Sequence, residues 1–281
     1  MSFPLIQSVI ARCLVQPGFL EAMCSDPAAA LAQYQIKPEI RAQLLAADLE
    51  QIRRFSGFIS KVQHNHLWRL FPATRFLLAY YKIELEIFAA FRALQLSPEA
   101  CNRDRNGRIT HFLNFLKDYA QSHRFSGLRE TVVHEQNIWE LESMADAKGA
   151  AATVSNSSPA TWRDFLRLIP RPNPTLRIVS FQFDPGKLVE SIARGQFRGR
   201  LPRHKLHVMA YLKDPRTGGP RVLELNLFST LFFSHIDGKR SIASVIAASG
   251  KQLPKIPRLE LAGFFKTCEE CGVISLVQQK E

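Results

Sequence analysis

The sequence predicts an α+β chain, a helical bundle followed by a smaller mixed domain. Three observations lead there. Residues 1–144 repeat apolar side chains at helical spacing almost throughout. Residues 145–160, ADAKGAAATVSNSSPA, lose every large apolar side chain and read as a linker. Residues 161–281 then change pattern, with alternating strand-like runs ahead of three short helical ones.

The first domain opens with a helix-start signal at DPAAALAQYQIKPEI, where Asp26 is an N-cap, Pro27 is the first helical residue and Pro38 opens the next helix. Leu44, Leu45, Leu49, Ile52 and Phe55 recur as one buried face. Phe71-Pro72 breaks the following long helix, because proline lacks the donor N–H and restricts its predecessor. TRFLLAYYKIELEIFAAFRAL resumes as one strongly apolar helix at the bundle centre, and Ser97-Pro98 caps a short turn. ITHFLNFLKDYAQ and LRETVVHEQNIWELESM complete six or seven helices.

In the second domain RIVSFQFD, KLHVMAYLKD and RVLELN alternate as strands, with PRTGGP as the tight turn before the third. LFSTLFFSHI, SIASVIAAS and RLELAGFFKTCEEC follow as helices. Three strands and then three helices is the order of a winged-helix-like domain.

Net charge is +12 and is unevenly spread. Between Thr161 and Val222 thirteen Lys/Arg face four acids, a net of +9, which raises the local concentration of an anionic partner. No apolar run is long enough to span a bilayer, and FPLIQSVIA lacks a basic flank and a cleavage site, so the expected location is cytoplasmic. Five scattered cysteines (Cys13, Cys24, Cys101, Cys268, Cys271) fit reduced thiols better than a disulfide framework.

Catalytic signatures are missing. There is no GxGxxG after a strand, no phosphate-cradling GxxxxGK[ST], no GxSxG and no HExxH. Cys268-Glu-Glu-Cys271 is a lone CxxC; its thiols share a helix face, but a closed zinc site takes four ligands. The alternative is one buried and one incidental cysteine. His64-Asn65-His66 reads as polar helix positions, and Glu84 and Glu86 face different sides of their helix. His134-Glu135 beside Val132, Val133 and Trp139 reads as buried anchoring. No catalytic residue and no metal ligand set is expected in this chain, which is read as a non-enzyme.

VLELNLFSTLFFSHIDGKRSIASVIA resembles the PqqD-type peptide-binding modules called RiPP recognition elements, which serve ribosomally made, post-translationally modified peptides. The shared features are a strand ending in Leu-Asn, an apolar helix, Asp237-Gly238-Lys239-Arg240, and a helix opened by Ser241. HLWRLFPATRFLLAYYKIE and ITHFLNFLKDYAQ are similar to helical partner proteins of multinuclear non-haem iron oxidative enzymes. Within that group the likeness is nearest to the TglI-like partners of 3-thiaglutamate biosynthesis, and more distant to the MbnC-like ones. PGKLVESIARGQFRGRLPRH departs from the pattern by lengthening the path between the first two strands.

The resemblance implies a non-catalytic accessory subunit with two partners: a precursor peptide, and an enzyme subunit that holds the iron and oxidises a peptide residue, cysteine foremost. No cofactor is implied in this chain, and no membrane. The leader would add as a strand along Arg221, Val222, Leu223, Glu224 and Leu225. The helix from Leu259 to Cys271 would form the second wall, with Leu259, Phe264 and Phe265 as apolar contacts. Arg221, Arg258 and Lys266 would meet acidic leader residues. The alternative is a winged-helix DNA-binding regulator with a helical sensor domain. It accounts for the basic stretch, but SIASVIAAS lacks the Arg, Lys, Asn or Gln that reads base edges.

Overall fold

The computed structural model describes residues 3–32, 34–94, 104–123, 125, 127–144, 161–201, 204–250 and 256–278. The expected linker at 145–160, the Ser97-Pro98 turn and Cys101 lie outside them. The architecture is helix-rich with small antiparallel sheets, an α+β arrangement. It divides into two compact units, Met1–Val133 and His134–Glu281.

The described residues of the first unit form α1 (Phe3–Val15), α2 (Pro17–Ser25), α3 (Pro27–Leu31), α4 (Pro38–Leu45), α5 (Leu49–Leu70), α6 (Pro72–Tyr80), α7 (Glu84–Leu94), α8 (Arg105–His123) and the start of α9 (Leu128–Ser143). Proline punctuation explains much of this division, since α2, α3, α4 and α6 each open on a proline. Asp26 caps α3 by accepting from the Ala29 N–H at 3.0 Å.

Three expectations need correcting here. The face from Leu44 to Phe55 is not continuous: Leu44 is buried, whereas Leu45 and Phe55 are exposed. The chain leaves helical geometry between α4 and α5, so the 3.6-residue phase restarts. The apolar segment from Thr74 to Leu94 is two helices, because Lys82 adopts a left-handed backbone (φ 60°) between α6 and α7. Its apolar side chains Leu77, Leu78, Ile87 and Phe91 are buried as expected. His64, read as a polar helix position, is instead buried against Trp68, Phe88 and Phe112. Desolvation, with Arg75 adding to it, lowers its pKa to about 4.

The second unit holds the rest of α9, then α10 (Trp162–Arg167), β1 (Ile169–Pro172), β2 (Arg177–Phe181), α11 (Pro185–Ala193), β3 (His207–Lys213), β4 (Pro220–Leu225), α12 (Leu227–His235), α13 (Ile242–Ser249), α14 (Arg258–Glu270) and β5 (Ile274–Val277). Strands β2, β3 and β4 form an antiparallel sheet with β3 in the middle; β1 pairs with β5 in a separate two-stranded sheet. The three strands and three helices read from the sequence all form. The small sheet and α10 are additions, and part of the long spacer between β2 and β3 coils into α11.

The junctions follow local chemistry. Asn226 ends β4 and caps α12, accepting from the Ser229 N–H at 2.8 Å. Asp237 Oδ1 accepts from the Lys239 and Arg240 N–H groups at 2.9 Å each, and these bonds lower its pKa. Gly238 sits at φ 75°, a left-handed conformation that glycine adopts without strain. Ser241 then caps α13.

Antiparallel partners share a face, so the three-stranded sheet has two chemically distinct sides. On one side Leu212, Leu223 and Leu225 pack with Phe232, Val245, Leu261 and Phe265 into the core formed with α12, α13 and α14. On the other lie Arg177, Phe181, His207, Tyr211 and Glu224.

Candidate functional site

Strand β4 pairs with β3 along one side, and among the described residues its other edge has no strand partner. Its first five residues and Leu225 alternate in face, Arg221, Leu223 and Leu225 turning toward the helical core. Partly buried Leu223, Leu225, Phe228, Phe264 and Cys271 pack on the edge of that core, which joins β4, α12 and α14 in one apolar surface. Phe264 lies at 5.1 Å from the Phe228 ring and 5.3 Å from the Phe232 ring, in edge-to-face and tilted contacts.

The expected contact residues divide into three groups. Leu223, Leu225 and Phe264 are half-buried in this surface, and Leu259 is the most exposed, at 84%. Phe265 is a correction: it is fully buried against Phe165, Phe232 and Phe264, so it is core and offers no surface to a ligand. The i, i+1 neighbours of one helix point about 100° apart, which is why only one of the two phenylalanines remains accessible.

The charged residues also separate. Arg221 is a second correction. Its Nη1 donates to the Cys271 carbonyl at 2.8 Å and its Nη2 lies 3.1 Å from Asp214 Oδ2. The guanidinium therefore ties β4 to the end of α14 and is not a free anion receptor. Arg258 is exposed, with its guanidinium 5.9 Å from the centre of the Trp162 ring. Lys266 is exposed and 3.9 Å from Glu270, a loose surface pair. Val222 and Glu224 turn to the opposite face of the sheet.

The Cys268-Cys271 pair carries no disulfide. Burial, and then the proximity of Cys271, raises the Cys268 pKa to about 12, which holds it as a thiol. A thiolate is the reactive and metal-binding form, so this environment disfavours both roles.

The opposite face of the sheet holds a polar constellation that the sequence analysis missed. His134 Nδ1 lies 2.7 Å from the Tyr211 hydroxyl. Burial lowers the His134 pKa to about 4 against a smaller opposing effect from Asp184, and burial raises that of Tyr211, with Asp184 adding to the rise. His207 Nδ1 lies 2.6 Å from Glu224 Oε1, and Arg177 bridges to Glu140. Asp184, His207 and Glu224 offer donor atoms that all lie within 4.8 Å of one another. Separations of 23 and 17 residues left no local motif; the signal was His207 and Glu224 on consecutive strands flanking one turn.

Among the described residues no helix is long and apolar enough to cross a membrane. No protein-family model matches the sequence, and the search of curated proteins found no significant match.

Proposed function

We propose that this chain is a non-catalytic partner subunit. It binds the leader of a ribosomally made precursor peptide and presents it, in the cytoplasm, to a multinuclear non-haem iron enzyme that oxidises a peptide residue, cysteine foremost. The iron belongs to the enzyme subunit, in the manner of the TglI-like partners of 3-thiaglutamate biosynthesis.

One observation carries the reading: the edge of β4 that has no strand partner among the described residues runs beside an apolar surface built from α12 and α14. An exposed strand edge is a template for another strand and is ordinarily shielded. A leader added there gains main-chain hydrogen bonds from β4 and side-chain contacts from Leu225, Phe228 and Phe264. The order of a three-stranded antiparallel sheet followed by α12, α13 and α14 supports a winged-helix-like recognition domain. Helix α13 presents Ile, Ala, Ser and Val alone, which favours peptide over DNA as the ligand.

The test is fluorescence anisotropy with labelled leader segments of candidate precursor peptides. Wild type should bind. Leu223→Pro should abolish binding, because proline removes a ladder donor and strains the strand. A leader that binds a folded Leu223→Pro chain as well as wild type overturns the reading.

A further inference from the structure

We propose that Asp184, His207 and Glu224 form a binding site for one divalent transition-metal ion, with Zn2+ the best fit, on the sheet face opposite the peptide edge.

The donor set comes from three separate elements. Asp184 is the N-cap of α11, His207 opens β3 and Glu224 lies on β4. An imidazole nitrogen with two carboxylate oxygens is a donor mixture that suits zinc better than the all-oxygen shells of calcium and magnesium. Donors on one tetrahedral zinc stand about 3.4 Å apart, given bonds of about 2.1 Å. The three donors here lie within 4.8 Å of one another, with His207 and Glu224 at 2.6 Å. Tetrahedral coordination would open the His207–Glu224 pair by a side-chain adjustment on the order of 1 Å.

Burial and charge point the same way. The Asp184 and His207 side chains are 12% and 10% exposed, while that of Glu224 is 52% exposed. The site is thus closed behind and open on one side, which gives an ion a way in and leaves a fourth position for water. Asp184 Oδ1 is used by the helix cap, accepting from the Lys187 N–H at 3.1 Å. Its other oxygen faces the Lys187 ammonium at 3.4 Å, on a side chain that is 69% exposed. The counter-charge on this oxygen is a largely solvated lysine, so a cation held between Asp184 and Glu224 would add a second, closer one.

An ion held here clamps β4 to β3 and to the start of α11, which stiffens the strand whose far edge is the candidate peptide site. Nothing in the site requires peptide binding, so it stands or falls separately from the proposed function.

The experiment titrates the chelator-treated full chain with Zn2+ alone by calorimetry and follows thermal unfolding in parallel. Wild type should bind one ion and melt at higher temperature in its presence. Asp184→Asn retains a helix-capping side chain and Glu224→Gln retains an acceptor for His207, so both should fold. Each should weaken binding by at least about tenfold and lose the thermal shift. Cys268→Ser/Cys271→Ser should bind as wild type. The proposal is overturned if wild type shows no one-to-one isotherm, if Asp184→Asn and Glu224→Gln both bind as wild type, or if binding disappears with the cysteines.

Discussion

The two faces of the β2–β3–β4 sheet are made by alternate residues of the same strands, yet one is dominated by aliphatic side chains and the other mixes buried Phe181 and Met209 with paired polar groups. Val208, Ala210 and Leu212 of β3 turn toward α12, α13 and α14, and their partners Leu225 and Leu223 extend that apolar layer to the edge of β4. His207 and Tyr211 turn the other way, into hydrogen bonds with Glu224 and His134. Every residue of β3 from His207 to Leu212 is nonetheless buried. A strand covered on both sides does not read as a clean apolar–polar alternation, and here the buried polar groups are the ones held by specific partners. The lesson is that one face builds a surface by shape and area, and the other builds a site by pairing.

The largest expected effect breaks the apolar face from within. Phe265→Ala should destabilise the second unit by about 3–5 kcal/mol through a cavity that neighbouring rings cannot fill, measured by denaturant unfolding. A loss below about 1 kcal/mol would mean the helical core is not packed as described.

Acid should break the polar face. His134 is neutral in the fold, with its pKa lowered to about 4 from an ordinary value of 6.5. Its contribution is full above pH 6.5 and is lost as pH falls toward 4, because the unfolded chain takes up a proton that the native site refuses. The whole span is worth on the order of 3 kcal/mol. His64 in the first unit, also lowered to about 4, adds loss in the same window. Stability measured from pH 7 to 4.5 should therefore fall, and His134→Asn should flatten the profile of the second unit. An unchanged slope in that variant would remove His134 as a cause.

Phe264→Ala sharpens the contrast between neighbours on α14. Phe264 is half-buried where Phe265 is wholly buried, so its loss should weaken leader binding by about 2 kcal/mol, roughly thirtyfold, with a smaller effect on stability. Equal loss of stability in both variants would make Phe264 a core residue as well.

The smallest effect belongs to the exposed charges. Arg258→Glu should weaken leader binding by less than about 1 kcal/mol, and the deficit should shrink as salt rises. Arg221→Glu should act instead on folding, because it breaks the contacts to Asp214 and Cys271. A salt-sensitive binding loss at Arg221 with unchanged stability would reverse that distinction.

Much of the fold was legible. Prolines, capping residues and the Asp237-Gly238 turn act through their own backbone and immediate neighbours, so Asp26, Pro72 and Ser241 could be read in place. The strands of the sheet and the three helices after it were legible for the same reason, since periodicity is a local signal. The left-handed turn at Lys82 was not, because no residue type there demands it.

By itself, then, the sequence determined the order of the main helices and strands and the candidate edge strand. Only the tertiary structure decided what each side chain on that edge is free to do. It buried Phe265 beside half-exposed Phe264, engaged Arg221 with Asp214, and brought Asp184, His207 and Glu224 together. The physical reason is that secondary structure arises from interactions within a few residues, whereas burial and pairing depend on which distant segments meet.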